Sequence, residues 1–106
     1  MRFDFVSTPV ETAQSGNSAL KRTVTIQNRF GIHARPAALF VKTANRFQSD
    51  ISVEKDNLRV SGKSIIGLMT IEGYQGSTIC ITASGPDAAE ALNALEELVT
   101  QKFFED

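Results

Sequence analysis

The chain has 106 residues, enough for one domain with a small core and too few for two of ordinary size. Hydrophobic residues make up 42% and charged residues 22%, an ordinary globular balance, and a formal net charge of −1 with no basic tract excludes the electrostatic footprint of a nucleic-acid binder. No apolar run approaches the roughly 20 residues that span a bilayer, and a single cysteine, Cys80, excludes an intrachain disulfide and a thiolate-cluster metal site.

Met1 to Phe5 carry Arg2 and Asp4 and lead into no apolar stretch, so a secretory signal is not expected and the cytoplasm is the expected compartment. Ser7 to Ser18 is rich in Ser, Thr, Gly, Gln and Asn, a composition that buries too little to offset its ordering entropy. Residues 1–20 are therefore expected to form a flexible arm and residues 21–106 the folded domain.

Thr23-Val24-Thr25-Ile26 alternates as a half-buried strand does, and Gln27 to Ile32 forms a loop containing Gly31. Pro36 suits the first turn of a helix, where a missing N–H is harmless. Ala37, Phe40, Val41 and Ala44 then mark one helical face, and the helix is expected to end near Arg46. Ile51 and Val53 alternate in a second strand, Lys55-Asp56-Asn57 turns, and Leu58 and Val60 make a short third strand. Ser64 can cap a short helix carrying Ile65, Leu68 and Met69.

Gly73 to Ser77 is a second loop, and Thr78 to Ala83 alternates with Ile79, Ile81 and Ala83 on one face and Cys80 on the other. Asp87 is a natural N-cap for a last helix with the stripe Ala91, Leu92, Leu95, Leu98 and Val99, ending near Lys102. Phe47, Phe103 and Phe104 are expected in the core or at its edge, Glu96 and Glu97 on a solvated helix surface, and Glu105 and Asp106 to fray. The βαββαβα order predicts an α+β fold, an open-faced β-sandwich whose four-stranded antiparallel sheet is covered on one face by three helices.

The segment that carries chemistry is Asn28 to Ala37, where the only histidine stands at the junction of loop and helix. The first amides of a helix have no intrahelical acceptor. Pro36 supplies none, which leaves the backbone of Ala34, Arg35 and Ala37 as expected donors to an oxyanion, aided by the helix dipole. A neutral imidazole is a competent nucleophile near neutral pH, and the Arg35 guanidinium has a forked geometry suited to phosphate. A lone histidine at a helix start is more often a cap or a surface residue. Here every neighbour in Gly31-Ile32-His33-Ala34-Arg35-Pro36 favours an anion at one point. No further His, Cys or carboxylate lies within four residues of His33, so no metal is expected there.

Residues 21 to about 103 resemble HPr, the histidine-containing phosphocarrier of the bacterial phosphoenolpyruvate-dependent phosphotransferase system. The motifs that carry the resemblance are Gly31-Ile32-His33-Ala34-Arg35-Pro36-Ala37-Ala38 and Gly62-Lys63-Ser64-Ile65-Ile66-Gly67-Leu68-Met69. The resemblance implies that His33 accepts a phosphoryl group on Nδ1 from phosphorylated enzyme I and donates it to the A domains of enzyme II, with Arg35 stabilising the group in transfer. It implies no cofactor, a monomer, and a covalent carrier rather than an enzyme. The arm before the first strand departs from the family pattern.

Ser64 has a plain role as N-cap, worth about 1 kcal/mol, and a sharper one as a regulatory phosphorylation site. A phosphate there is favoured by the dipole and would repel acidic partners. In HPr-like proteins the matching serine is the target of an HPr kinase/phosphorylase in some bacterial lineages. Leu68 and Ile71 share one helix face, while Ile66 and Met69 fall on another, so both faces cannot meet one core. Ala38, Ile65, Ile66 and Met69 are therefore expected to form a partner surface near His33, rimmed by Lys42 and Arg46.

Two alternatives fit these residues: a carrier of the nitrogen-regulatory branch of the same system, and, in a different class, a regulatory adaptor without carrier activity, modified only at Ser64 and with His33 idle. An RNA-binding module is disfavoured, because the outward strand positions Thr23, Thr25, Ser52, Thr78, Cys80 and Thr82 carry no aromatic stacking groups.

Overall fold

The computed structural model describes residues 19–105, so the expected arm lies outside the described residues except for Ala19 and Leu20. The elements follow in the order β1 (Leu20–Thr25), α1 (Ala34–Ala44), β2 (Asp50–Lys55), β3 (Leu58–Ser61), α2 (Ile65–Thr70), β4 (Thr78–Ser84) and α3 (Ala88–Thr100). A short 3-10 turn, Lys102–Phe104, follows α3. The predicted α+β order is the observed one, with β1 starting one residue before the expected domain boundary.

The sheet order is β1-β4-β2-β3 and every pairing is antiparallel. β1 and β2 both pair with β4, so they run parallel to each other with β4 between them, and α1 makes the crossover. Alternation places Val24, Ile51, Val53, Ile79, Ile81 and Ala83 on the covered face. They meet Ala37, Phe40 and Ala44 from α1, Leu68 from α2, and Ala91, Leu92, Leu95 and Val99 from α3 in one core. The open face carries exposed Thr23, Thr25 and Thr78 and half-buried Ser52 and Cys80. Thr82, expected outward and open, is buried, because β4 is flanked on both sides and Thr82 lies between Lys21 and Ser52 in register. Among the described residues no helix is long and apolar enough to cross a membrane.

The start of α3 differs from expectation in one respect. Asp87 precedes the helix, but its carboxylate makes no capping bond to it. It accepts instead from the Gln48 and Ser49 amides, each at 3.0 Å, and from the Ser49 hydroxyl at 2.6 Å. It therefore ties the turn after α1 to the β4–α3 corner, where Gly85 approaches Ser49 too closely to admit a Cβ. On α3 itself Glu96 pairs with Arg22 of β1, so it is a surface residue with a partner.

The Ser49 hydroxyl, followed by the Gln48 amide, holds the Asp87 carboxyl below the usual carboxylate range. Folding thus favours the ionised form, and its stabilisation is complete above the unfolded value and is lost as pH falls through the lowered folded value. Asp87→Asn should lower the melting temperature at neutral pH and flatten the acid limb of the stability curve. Thermal denaturation followed by circular dichroism from neutral to acidic pH measures both effects; an unaltered acid limb would remove Asp87 from that role.

Candidate functional site at the start of the first helix

The loop before α1 is seated on the loop before β4. Gly31 adopts φ +66°, and a Cβ there would stand 2.1 Å from the Gly73 carbonyl oxygen, so only glycine fits. The same carbonyl accepts the Ile32 amide at 2.9 Å, and the Ile32 side chain is buried. With Ile32 anchored inward, the next residue is presented to solvent. His33 has extended backbone (φ −92°, ψ −167°) and is the N-cap of α1, yet its side chain makes no capping bond. That side chain is 42% exposed.

The His33 carbonyl accepts the Ala37 amide at 2.9 Å, the first intrahelical bond of α1. Ala37 is therefore not a spare donor, which corrects the sequence expectation: an N-cap carbonyl reaches the amide four residues on. The Ala34 and Arg35 amides precede that bond and have no acceptor within the helix. Arg35 is exposed.

Two groups that local sequence did not single out complete the surroundings of the ring. His33 Nε2 lies 3.1 Å from Glu105 Oε1, and the same oxygen accepts from Asn28 Nδ2 at 3.0 Å. Asn28 is fully buried and its Nδ2 also donates to the Gly31 carbonyl at 2.7 Å. Glu105 does not fray: it is held by its contacts, with 17% of its side chain exposed. The Asn28 hydrogen bond, with smaller contributions from His33 and Arg35, outweighs burial and holds the Glu105 carboxyl below its ordinary value. Phe30 meets the His33 ring edge-on, centroids 6.2 Å apart at 88°, and the Arg29 guanidinium lies over Phe30 at 5.6 Å.

Glu105 reaches His33 through unusual backbone. Lys102, Phe103 and Phe104 have φ of 56°, 55° and 60°, left-handed conformations that cost roughly 1–2 kcal/mol per residue. Phe103, wholly buried in the core, offsets part of that cost. Phe104, expected in the core or at its edge, is 68% exposed.

Ser64 caps α2 as expected, its Oγ accepting the Gly67 amide at 2.9 Å. Beside it, Lys63 Nζ donates to the Phe47 carbonyl at 2.9 Å and fixes the β3–α2 junction to the turn after α1.

A family model described as the PTS HPr component phosphorylation site matches residues 20–101. The phosphocarrier protein HPr of Treponema pallidum is 46% identical over 85 residues, covering 80% of this chain and 97% of that one. The chain belongs to the HPr family. The HPr-like protein Crh of Bacillus subtilis is 42% identical over 83 residues, covering 78% of this chain and 98% of its own. The crystal structure of HPr-C-His from Thermoanaerobacter tengcongensis aligns with TM-score 0.79 at 48% identity, over 82% of this chain and 98% of that one. The protein is thus a phosphoryl carrier of the phosphotransferase system.

In this HPr-family domain α1 and α2 pack together, and their outer faces carry Ala38, Ile65, Ile66 and Met69, all exposed. Lys42 on α1 and Arg46 in the turn after it are exposed as well. Ile66 is 77% exposed, whereas Leu68, two residues on, is fully buried. The opposed faces of this one short helix predict opposite outcomes. Leu68→Ala should destabilise the domain by about 2–5 kcal/mol, and Ile66→Ala should change stability by less than about 0.5 kcal/mol. Urea denaturation of the two variants measures this contrast; a large loss in Ile66→Ala would place that side chain in the core.

Proposed function

We propose that His33 is the residue that carries the phosphoryl group, accepting it on Nδ1 from phosphorylated enzyme I and passing it to the A domains of enzyme II in sugar uptake. The observation that carries this reading is a half-exposed imidazole at the N-cap of α1, making no bond to its own helix and flanked by the Ala34 and Arg35 amides. The attacking nitrogen forms a bond to phosphorus as the donor's bond to phosphorus breaks. The phosphoryl oxygens then lie at the positive end of the helix, where free amides and the Arg35 guanidinium favour an anion. Phosphoryl transfer asks chiefly for alignment and charge stabilisation.

On this reading the domain from β1 onward acts as a monomeric covalent carrier in the cytoplasm. It is not an enzyme, because His33 regains its starting state only through a second protein. Ala38, Ile65, Ile66 and Met69 form the surface that partners share, and residues 1–20 stand apart from the chemistry.

Ser64 supports a second, regulatory role. Its hydroxyl is half-exposed at the N-cap of α2, immediately before the exposed apolar residues of that helix. Phosphorylation there by an HPr kinase/phosphorylase would put about two negative charges on the proposed partner surface. The similarity to Crh accords with such serine control.

Reconstituted transfer from phosphoenolpyruvate through enzyme I tests the carrier assignment. The wild-type protein and Ser64→Ala should take up acid-labile, alkali-stable label, and His33→Ala should take up none. Arg35→Gln should slow transfer on the order of 10-fold to 100-fold, the loss expected for one charged hydrogen-bond donor. Acid-labile label retained by His33→Ala would overturn the assignment. The enzyme II A protein that drains the label separates the sugar branch from the nitrogen-regulatory one.

A further inference from the structure

We propose that Glu105 is a positioning residue for His33: its carboxylate accepts the imidazole Nε2 hydrogen, holds the ring in the tautomer whose lone pair is on Nδ1, and balances the charge the ring acquires during transfer. The inference rests on the reading of His33 as the carrier, and extends it to a residue at the far end of the domain.

Five observations converge on it. Glu105 Oε1 lies 3.1 Å from Nε2, within hydrogen-bond distance. Buried Asn28 donates to the same oxygen and to the Gly31 carbonyl, so both its amide hydrogens are engaged and the carboxylate is clamped from behind. This orientation leaves Asn28 Oδ1 buried without a partner among the described residues, so the side chain is arranged for donation toward Glu105. The three left-handed residues before Glu105, anchored by buried Phe103, direct it back across the domain to a residue 72 positions earlier. Phe30 borders the ring edge-on, so the imidazole is held by two groups.

The direction of the hydrogen bond follows from protonation. Asn28, His33 and Arg35 all favour the charged form of Glu105. An ionised carboxylate only accepts, so Nε2 must carry the hydrogen. The neutral ring then has its lone pair on Nδ1. In transfer that pair forms the Nδ1–phosphorus bond, and the pair of the breaking bond stays with the donor atom of enzyme I. The ring keeps its Nε2 hydrogen and takes up positive charge, which faces the Glu105 carboxylate. Return of the phosphoryl group to the next acceptor reverses each of these changes.

The test uses the full chain with nitrogen-15 in its single histidine. In the wild-type protein at a pH where the ring is neutral, the two ring nitrogens should give well-separated shifts, protonated for Nε2 and unprotonated for Nδ1. In Glu105→Ala the shifts should move toward the averaged values of a mixed tautomer population. Transfer from phosphorylated enzyme I should slow on the order of 10-fold to 100-fold, as when partners that orient metal-bound histidines are removed. Glu105→Gln keeps an acceptor without the charge and should restore the tautomer more than the rate, and it serves as the folded control.

Wild-type shifts and rate in Glu105→Ala, with label still lost in His33→Ala, would overturn the positioning role and leave the carrier assignment standing. Absence of acid-labile label on the wild-type protein would overturn both.

Discussion

The close approach of Gly31 to Gly73 sets the position of everything else at the site. Two loops far apart in the chain meet there with no room for a side chain between them, and one carbonyl accepts the amide that follows Gly31. Because Ile32 is buried at that contact, strand-like alternation forces His33 outward at the point where α1 begins. The neighbouring bonds between Ile26 and the Gly76–Ser77 segment, at 2.7 and 2.8 Å, brace the same pair of loops. The half-exposed ring is thereby mounted on two loops held together by backbone hydrogen bonds.

The second constraint comes from the end of the chain. Left-handed backbone at three residues in succession is intrinsically unfavourable and persists only where packing overdetermines it. Here the compensation is visible: Phe103 fills the core, and the backbone bonds Phe104 to Gln101 and Glu105 to Lys102 close the turn at 2.9 and 3.0 Å. Strain of this kind concentrates near functional sites, and this turn delivers a carboxylate to the histidine. The fold and the site share Phe103: the residue that completes the core also aims Glu105.

Legibility in the sequence followed the range of the interactions. The element order, the inward residues of each strand and the stripes of α1 and α3 depend on local periodicity, and all were readable. The placement of His33 and Arg35 at the solvent-facing start of α1 was readable because adjacent residues set it. Ser64 was readable because a cap acts within one turn. Glu105 was not, since its partner lies 72 residues away and a terminal acidic residue ordinarily faces solvent. Phe103 stands four residues after Val99, which mimics continuation of the helical stripe and hides the left-handed turn. Its apolar bulk just beyond the helix was the one available signal that the end of the domain is docked. Asp87 misled in the opposite way: its position was that of a cap, but its hydrogen bonds go to Gln48 and Ser49, groups that only the tertiary fold brings near.

A carrier must bind its cargo firmly enough to protect it and weakly enough to release it, so equal stabilisation of every state would accomplish nothing. On the proposed reading, the site at His33 meets that requirement through partial exposure. A fully enclosed set of donors would hold a phosphoryl group in a low-dielectric pocket and resist handing it on. An exposed guanidinium and two amides at a helix start act through solvent and are correspondingly mild. The stronger, better-buried contact, Asn28–Glu105, acts on the ring rather than on the cargo. On the proposed reading, this division lets the domain keep the nucleophile in one orientation through both transfers while leaving the phosphoryl oxygens to be claimed by whichever partner docks against α1 and α2.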